Sequence, residues 1–252
     1  YGRRVRRIFP ALITVLLACM LLAWWILFED EFKQLGNHTL AAAVFLSNFI
    51  LRRESGYFDT AAELKPLLHL WSLAVEEQFY IFWPAILWTA HRFLKNPLRG
   101  LLFILGLSFA WNIYLGYVNP VHDFYSPLSR FWEPMAGGCL AIAWPRIRHH
   151  VTRENQRQLG FWSVILLLTT VVICQWAAVY PSGWAALPVI GALCFIASQG
   201  QLTGLQWCVT RPSVLWLGEI SYALYLWHWP ILSFAHIIEG QTPSVAWLSL
   251  IH

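Results

Sequence analysis

Residues 3–28 read RRVRRIFPALITVLLACMLLAWWILF. Four arginines, Arg3, Arg4, Arg6 and Arg7, lead into an almost unbroken apolar run over 8–28. At 1.5 Å per residue, a helix of that length spans the roughly 30 Å hydrocarbon core of a bilayer. Comparable runs recur at 71–90, 101–118, 128–145, 160–180, 184–200 and 214–236, and an eighth begins near 244. Of the 252 residues, 58% are hydrophobic and only 12% are charged, about half the roughly 25% of soluble domains. The mean hydropathy is +0.52. These figures exclude a soluble globular enzyme and predict an all-α, polytopic transmembrane helix bundle. The 16 Trp and 9 Tyr suit that class, because amphipathic rings anchor spans at both membrane surfaces.

The five cysteines, Cys19, Cys139, Cys174, Cys194 and Cys208, form no C-x-x-C pair. They read as small core hydrophobes, and no metal site is expected. The net charge of +4 suits an anionic partner, but its distribution matters more than its size; the lipid bilayer is an expected partner, and nucleic acid is not. No internal repeat or linker divides the chain. It begins at Tyr1 rather than Met and stops at His252 within a new apolar run, so 1–252 is read as one partial membrane domain with neighbouring segments beyond both ends.

Charge sets the topology. Arg3, Arg4, Arg6 and Arg7 precede the first run, and Arg92, Lys95 and Arg99 follow the second. Arg146, Arg148, Arg153 and Arg157 follow the fourth, and Arg211 follows the sixth. An excess of Lys and Arg marks cytoplasmic connections, so all four lie inside. If 8–28 leaves the cytoplasm and 71–90 returns, 29–70 begins and ends outside. The shorter apolar run at 38–51 then cannot cross. It is expected to be a re-entrant or interfacial piece of a long outer loop, dipping into protein because non-helical backbone at membrane depth needs internal partners.

Ionisable groups inside a span are costly and need a reason. Glu76 and Glu77 fall six and seven residues into the second run, about 9–11 Å below its outer end at helical rise. Ser72, Glu76 and Tyr80 share a face by i,i+4 spacing, and Gln78 adds a further polar group. The carboxylates are expected to face a polar cavity, either as a structural pair neutralised by a cation from another helix or as functional groups. Arg130 and Glu133 form an i,i+3 pair whose charge order is the weaker one for a helix, which puts one partner on another span. Gly137 and Gly138 allow close helix approach. Ser221, Tyr225 and His228 line one face near the C-terminus, with Tyr222 beside them, and Pro230 introduces a kink. His69 reads as a group at a cavity mouth. The arginine cluster is either a topology marker or a phosphate clamp, since guanidinium groups bind phosphate bidentately and a helix N-terminus adds positive potential.

Four runs together, RRVRRIFP (3–10), LHLWSLAVEEQFY (68–80), RFWEPMAGG (130–138) and ISYALYLWHWP (220–230), resemble the acyltransferase 3 family of bacterial membrane O-acyltransferases. The resemblance covers nearly the whole chain. It implies a ten-helix domain of the cytoplasmic (inner) membrane, with the eight spans here preceded by two more. It also implies transfer of an acyl group, usually acetyl, from cytoplasmic acyl-CoA to a hydroxyl of an extracytoplasmic glycan such as lipopolysaccharide O-antigen or peptidoglycan, or of a lipid-linked saccharide. The donor cofactor would be acetyl-CoA. The family's R-x-x-R motif maps onto Arg4 and Arg7, or onto Arg3 and Arg6, and favours a role in binding acyl-CoA phosphate. The family's catalytic histidine belongs to the first span, which this sequence lacks, and its role is not transferred to any histidine present. The YLWHWP ending resembles the branch whose membrane domain is often followed by an extracytoplasmic SGNH-type domain.

On that implication Glu76, Glu77, Ser72, Tyr80 and His228 are the catalytic candidates, and Arg3, Arg4, Arg6 and Arg7 bind the donor. His69, Gln78, Arg130, Glu133, Ser221, Tyr222 and Tyr225 are substrate or structural polar groups. Two other readings stay open: a transporter or exporter that uses the same buried Glu, Arg and His groups as a proton or substrate pathway, and a fragment inactive on its own.

Overall fold

The computed structural model describes residues 2–55, 61–174, 182–199, 207 and 209–240. Among them every regular element is helical. Eleven α-helices follow in order: α1 (Gly2–Ile26), α2 (Glu29–Ala43), α3 (Ser47–Glu54), α4 (Leu70–Phe93), α5 (Pro97–Val118), α6 (Pro120–Tyr125), α7 (Pro127–Arg130), α8 (Trp132–Ile147), α9 (Arg153–Cys174), α10 (Ala186–Ser198) and α11 (Pro212–Glu239). Seven apolar runs of the sequence thus become helices: α1, α4, α5, α7 with α8, α9, α10 and α11. The eighth lies outside the described residues. By length and composition, Gly2–Ile26, Pro97–Val118 and Arg153–Ile173 are long and apolar enough to cross a membrane. The long helices α4 and α11 fall outside that set and carry Glu76, Glu77, Glu219 and His228.

The chain forms two compact units, one from Tyr1–Glu77 and Trp216–His252, the other from Gln78–Leu215. In the first unit, α1 buries a stripe of Leu12, Val15, Leu16, Cys19 and Ala23 against Leu67, Leu70, Leu73, Leu226 and Phe234. Its opposite face is also apolar: Leu17, Leu21, Trp24 and Trp25 are exposed. A helix in water presents polar residues outward, so this exterior suits hydrocarbon. The expected outer loop at 29–70 is largely helical. Glu29, Asp30 and Glu31 place negative charge on the first turn of α2, where it complements the helix dipole, and Glu31 Oε2 accepts the Phe28 amide at 3.1 Å. Helical backbone satisfies its own hydrogen bonds, which is why this segment needs less loop than the apolar pattern indicated. Phe45, at φ 57°, reverses the chain between α2 and α3, with its ring edge-on to Phe9 at 5.6 Å.

The second unit is punctuated by Asn-Pro and Ser-Pro starts. Asn96 accepts the Arg99 amide at 3.3 Å and Asn119 the His122 amide at 3.0 Å, each followed by Pro at the first helical position, where the missing N–H costs nothing. A buried polar knot holds α5, α6 and α7: Asn112 Nδ2 donates to both Asp123 carboxylate oxygens at 3.0 and 3.1 Å, and Ser129 Oγ donates to the Asp123 carbonyl at 2.7 Å. Phe131 breaks the helix between α7 and α8. Across that break Arg130 Nη1 donates to Glu133 Oε1 at 3.1 Å. Contrary to the expectation of a partner on another span, these two pair with each other, because Phe131 keeps helical backbone angles and its amide hydrogen bond to Pro127 and so preserves the i,i+3 spacing between them.

Candidate active site

At the N-terminal end of α1 the first unit encloses a cavity of about 600 Å³. Arg3, Arg4, Arg7 and Ile8 line it from α1; Ser72, Leu73, Glu76 and Glu77 from α4; Ser221, Tyr222 and Tyr225 from α11. Three segments separated by 60 residues or more in the sequence therefore bring nine of the sixteen candidate residues to one place. Arg6 is exposed and does not line the cavity, so of the two R-x-x-R registers it is Arg4 and Arg7 that share the wall.

The helix periodicity explains the arrangement. Residues 3, 4, 7 and 8 share one face of α1, residues 72, 73, 76 and 77 one face of α4, and 221, 222 and 225 one face of α11. Arg4 Nη1 meets Glu77 Oε1 at 3.3 Å, so a cation from another helix does neutralise one carboxylate. Glu76 is exposed towards the cavity. Among the described residues, Arg3 and Arg7 have no acidic partner within 4.0 Å. On formal charge, three guanidinium groups face two carboxylates, which leaves the cavity attractive to an anion.

A chain of hydroxyls forms the inner wall. Tyr225 Oη donates to the His69 carbonyl at 2.5 Å, which makes Ser72 Oγ the donor in its 2.7 Å bond to Tyr225. Tyr222 Oη donates to the Ile8 carbonyl at 3.2 Å, fastening α11 to the first turns of α1. Behind this wall His228 Nδ1 donates to the Tyr225 carbonyl at 2.7 Å. A carbonyl only accepts, so Nδ1 of His228 is the donor; Nε2 is an acceptor in the neutral ring and a second donor in the charged one. The His69 ring lies 5.2 Å from Tyr225 and 5.4 Å from His228, and among the described residues neither of its nitrogens makes a hydrogen bond of ordinary geometry.

Several expected positions shift. The Glu77–Arg4 contact puts Glu77 beside the arginine cluster, and Glu76 and Glu77 lie six and seven residues past the start of α4 at Leu70. The chain is already inside the protein before α4 begins: Lys65, Leu67 and His69 are buried. His69 is buried rather than at a cavity mouth. His228 stands behind the cavity wall. Tyr80 does not share the cavity with Ser72 and Glu76, and with Gln78, Arg130 and Glu133 it belongs to the second unit.

No sequence pattern announces the network at the other end of the first unit. His38 Nε2 lies 2.8 and 2.9 Å from the two Glu54 carboxylate oxygens, and Lys65 Nζ donates to Glu54 Oε2 at 3.1 Å. Burial raises the Glu54 pKa, but hydrogen bonds and charge from His38 and Lys65 outweigh it and hold the carboxyl below the usual range. The one available signal was His38 opening an apolar run too short to cross a membrane.

The chain belongs to the acyltransferase 3 family, whose model, described as an acyltransferase domain, matches residues 1–251. It is 29% identical to the peptidoglycan O-acetyltransferase OatA of Listeria monocytogenes, across 96% of this chain and 41% of that protein. Two further relatives are provisionally named as an O-acetyltransferase of Staphylococcus aureus (30% identical, 96% of this chain, 42% of that protein) and a peptidoglycan O-acetyltransferase of Bacillus subtilis (27% identical, 97% and 41%). The chain thus spans about two fifths of the length of these relatives. No solved structure matches.

Proposed function

We propose that this chain is the membrane part of an O-acetyltransferase that moves an acetyl group from acetyl-CoA on the cytoplasmic side to a hydroxyl of an extracytoplasmic cell-wall glycan. The supporting observation is the basic cavity, in which Arg3, Arg4 and Arg7 converge with Glu76, Ser72 and Tyr225 in a chain of an acyltransferase family. The topology belongs to the proposal: eight spans of a ten-helix domain in the bacterial inner membrane, α1 starting at the cytoplasm, with α2 and α3 as a re-entrant outer pair.

Acyl transfer needs the donor anchored, the attacking hydroxyl relieved of its proton and the developing oxyanion held in a site that excludes water. Arg4 and Arg7 anchor the CoA phosphates, and guanidinium is suited to this because its charge is permanent and its donors are paired. Glu77 holds Arg4 in place while the site is empty. Glu76, unpaired by any cation among the described residues, accepts a proton or orients the group that does. The Ser72–Tyr225 hydroxyl chain, whose protons go to Tyr225 and to the His69 carbonyl, holds the inner wall of the cavity in shape, and the guanidinium groups are the donors available to the thioester oxygen as it becomes negative. A cavity of about 600 Å³ is within the roughly 300–1,000 Å³ usual for small-ligand sites.

Arg4→Ala with Arg7→Ala is expected to weaken acetyl-CoA binding at least about tenfold, the loss of one to two charge-assisted contacts, with normal membrane insertion. Equilibrium binding and transfer to glycan by the purified protein measure it, and unchanged transfer kinetics in the double variant would reject the clamp. Glu76→Gln is expected to lower kcat while leaving donor affinity in place. Movement of substrate without covalent change would favour the transporter reading instead.

A further inference from the structure

The second unit holds an apolar groove of about 430 Å³ between α5, α8 and α10. Leu98, Leu102, Leu105 and Phe109 line it from α5, and Trp132, Ala136, Cys139 and Ala143 from α8. Both sets step by four, three and four residues, which keeps each on one face of its helix. The two helices run antiparallel: Asn112 meets Asp123, and the Trp132 amide donates to Ser108 Oγ at 3.2 Å. The Phe109 and Trp132 rings, 4.7 Å apart, therefore close one end, and Leu98 and Ala143 stand together at the other. Eleven residues of helical rise make the groove about 16 Å long, close to the depth of one leaflet, half of a hydrocarbon core of roughly 30 Å. The short side chains of Ala136, Cys139 and Ala143 leave the room, and exposed Leu102 and Ile190 mark where it opens sideways.

The open end of the groove carries charge. Arg146, three residues past Ala143, is the next step of the α8 stripe, and Arg99 stands three residues before Leu102 on α5. Both are exposed, and among the described residues neither has an acidic partner within 4.0 Å. Arg4 and Lys65 of the first unit, by contrast, are held by Glu77 and Glu54. Empty volume in hydrocarbon forfeits dispersion contacts, and lipid chains are as apolar as these walls, so an acyl chain fills the groove at no cost in transfer. What turns filling into recognition is the pair of arginines. A neutral lipid leaves them without a counter-charge, and a further helix, about 10–12 Å across, is too thick for a groove of this volume and length.

We propose that this groove binds one anionic phospholipid, with a single acyl chain lying along α5 and α8 as far as Phe109 and Trp132, and its phosphate on Arg99 and Arg146. Basic pockets between membrane helices hold anionic headgroups in this way. The site is independent of the acetyltransferase reading. In the proposed topology its basic end is cytoplasmic, so the lipid is drawn from the inner leaflet.

The test uses the full-length protein in nanodiscs of equal parts phosphatidylglycerol and phosphatidylcholine, with the lipid retained after release into detergent counted by native mass spectrometry. The unmodified protein is expected to retain phosphatidylglycerol in preference. Each arginine near a membrane surface favours an anionic lipid about fivefold, so Arg99→Gln with Arg146→Gln is expected to lower the retained phosphatidylglycerol at least about tenfold, with helix content by circular dichroism unchanged. Ala136→Leu with Ala143→Leu fills the groove and is expected to lose the lipid with both arginines in place. Phosphatidylglycerol carrying a photoactivatable diazirine on its acyl chain tests the unmodified protein directly, and its crosslinks are expected within 98–109, 132–143 and 186–193. Equal retention of the two lipids, full retention by either variant, or crosslinks spread evenly over other exposed helices such as α9 would overturn the proposal.

Discussion

Glu54 is half-buried and Asp123 buried, and their environments act in opposite directions. At Glu54 burial is outweighed by His38 and Lys65, and the folded carboxyl is held below its ordinary value. The charged form therefore adds stability above the usual glutamate pKa of about 4.3, and that stability is lost as the pH falls through the folded value. At Asp123 burial prevails over Asn112, Ser129 and Arg130 and pushes the carboxyl up, so its contribution is complete at low pH and is lost as the pH rises. Glu54→Gln is expected to cost about 2 kcal/mol at pH 7, with the gap closing below about pH 4. Thermal unfolding in detergent over a pH series checks this, and a gap that does not change with pH would mean that the charge is not its source. Neither cluster was legible in the sequence. His38, Glu54 and Lys65 lie 16 and 11 residues apart, with no period to relate them, whereas Ser72, Glu76, Ser221 and Tyr225 were found because helical spacing alone puts them on shared faces.

At the scale of elements, the two adjacent glycines of α8 differ. A methyl group added at Gly138 would overlap the Trp83 ring of α4, whereas one added at Gly137 meets nothing within 4 Å. Only one of the pair read from the sequence as a close-approach site is therefore used. Gly138→Ala is expected to destabilise by about 1–3 kcal/mol through overpacking. Gly137→Ala is expected to be neutral or to stabilise by up to about 1 kcal/mol through helix propensity. Unfolding midpoints of the two variants measure the contrast, and equal effects would show that α4 and α8 do not depend on this contact. The apolar runs fixed where helices form, because long hydrophobic stretches admit few alternatives in lipid. They did not fix where helices stop. The boundary at Phe131 divides one apolar run into α7 and α8, and no local pattern records it.

For the whole molecule, the proposed topology predicts which side of the membrane each connection faces. A cysteine placed at Ser55 is expected to react with an impermeant maleimide from outside intact cells, and one at Asn96 only after the inner face is exposed. Labelling of the Ser55 position from the cytoplasmic side would overturn the arrangement. The proposed orientation rests on the basic residues, and the tertiary structure brings Arg3, Arg4 and Arg7 of one such connection to the cavity wall as well. The core behind that cavity has an electrical consequence. With water entering the cavity in the proposed topology, the membrane potential falls across the apolar core beyond it, Leu67, Leu70 and Leu226 included, instead of the full bilayer thickness. A charge moved through that shortened insulator is worth about 2.3 kcal/mol per 100 mV, so this core must carry uncharged groups across while denying passage to ions.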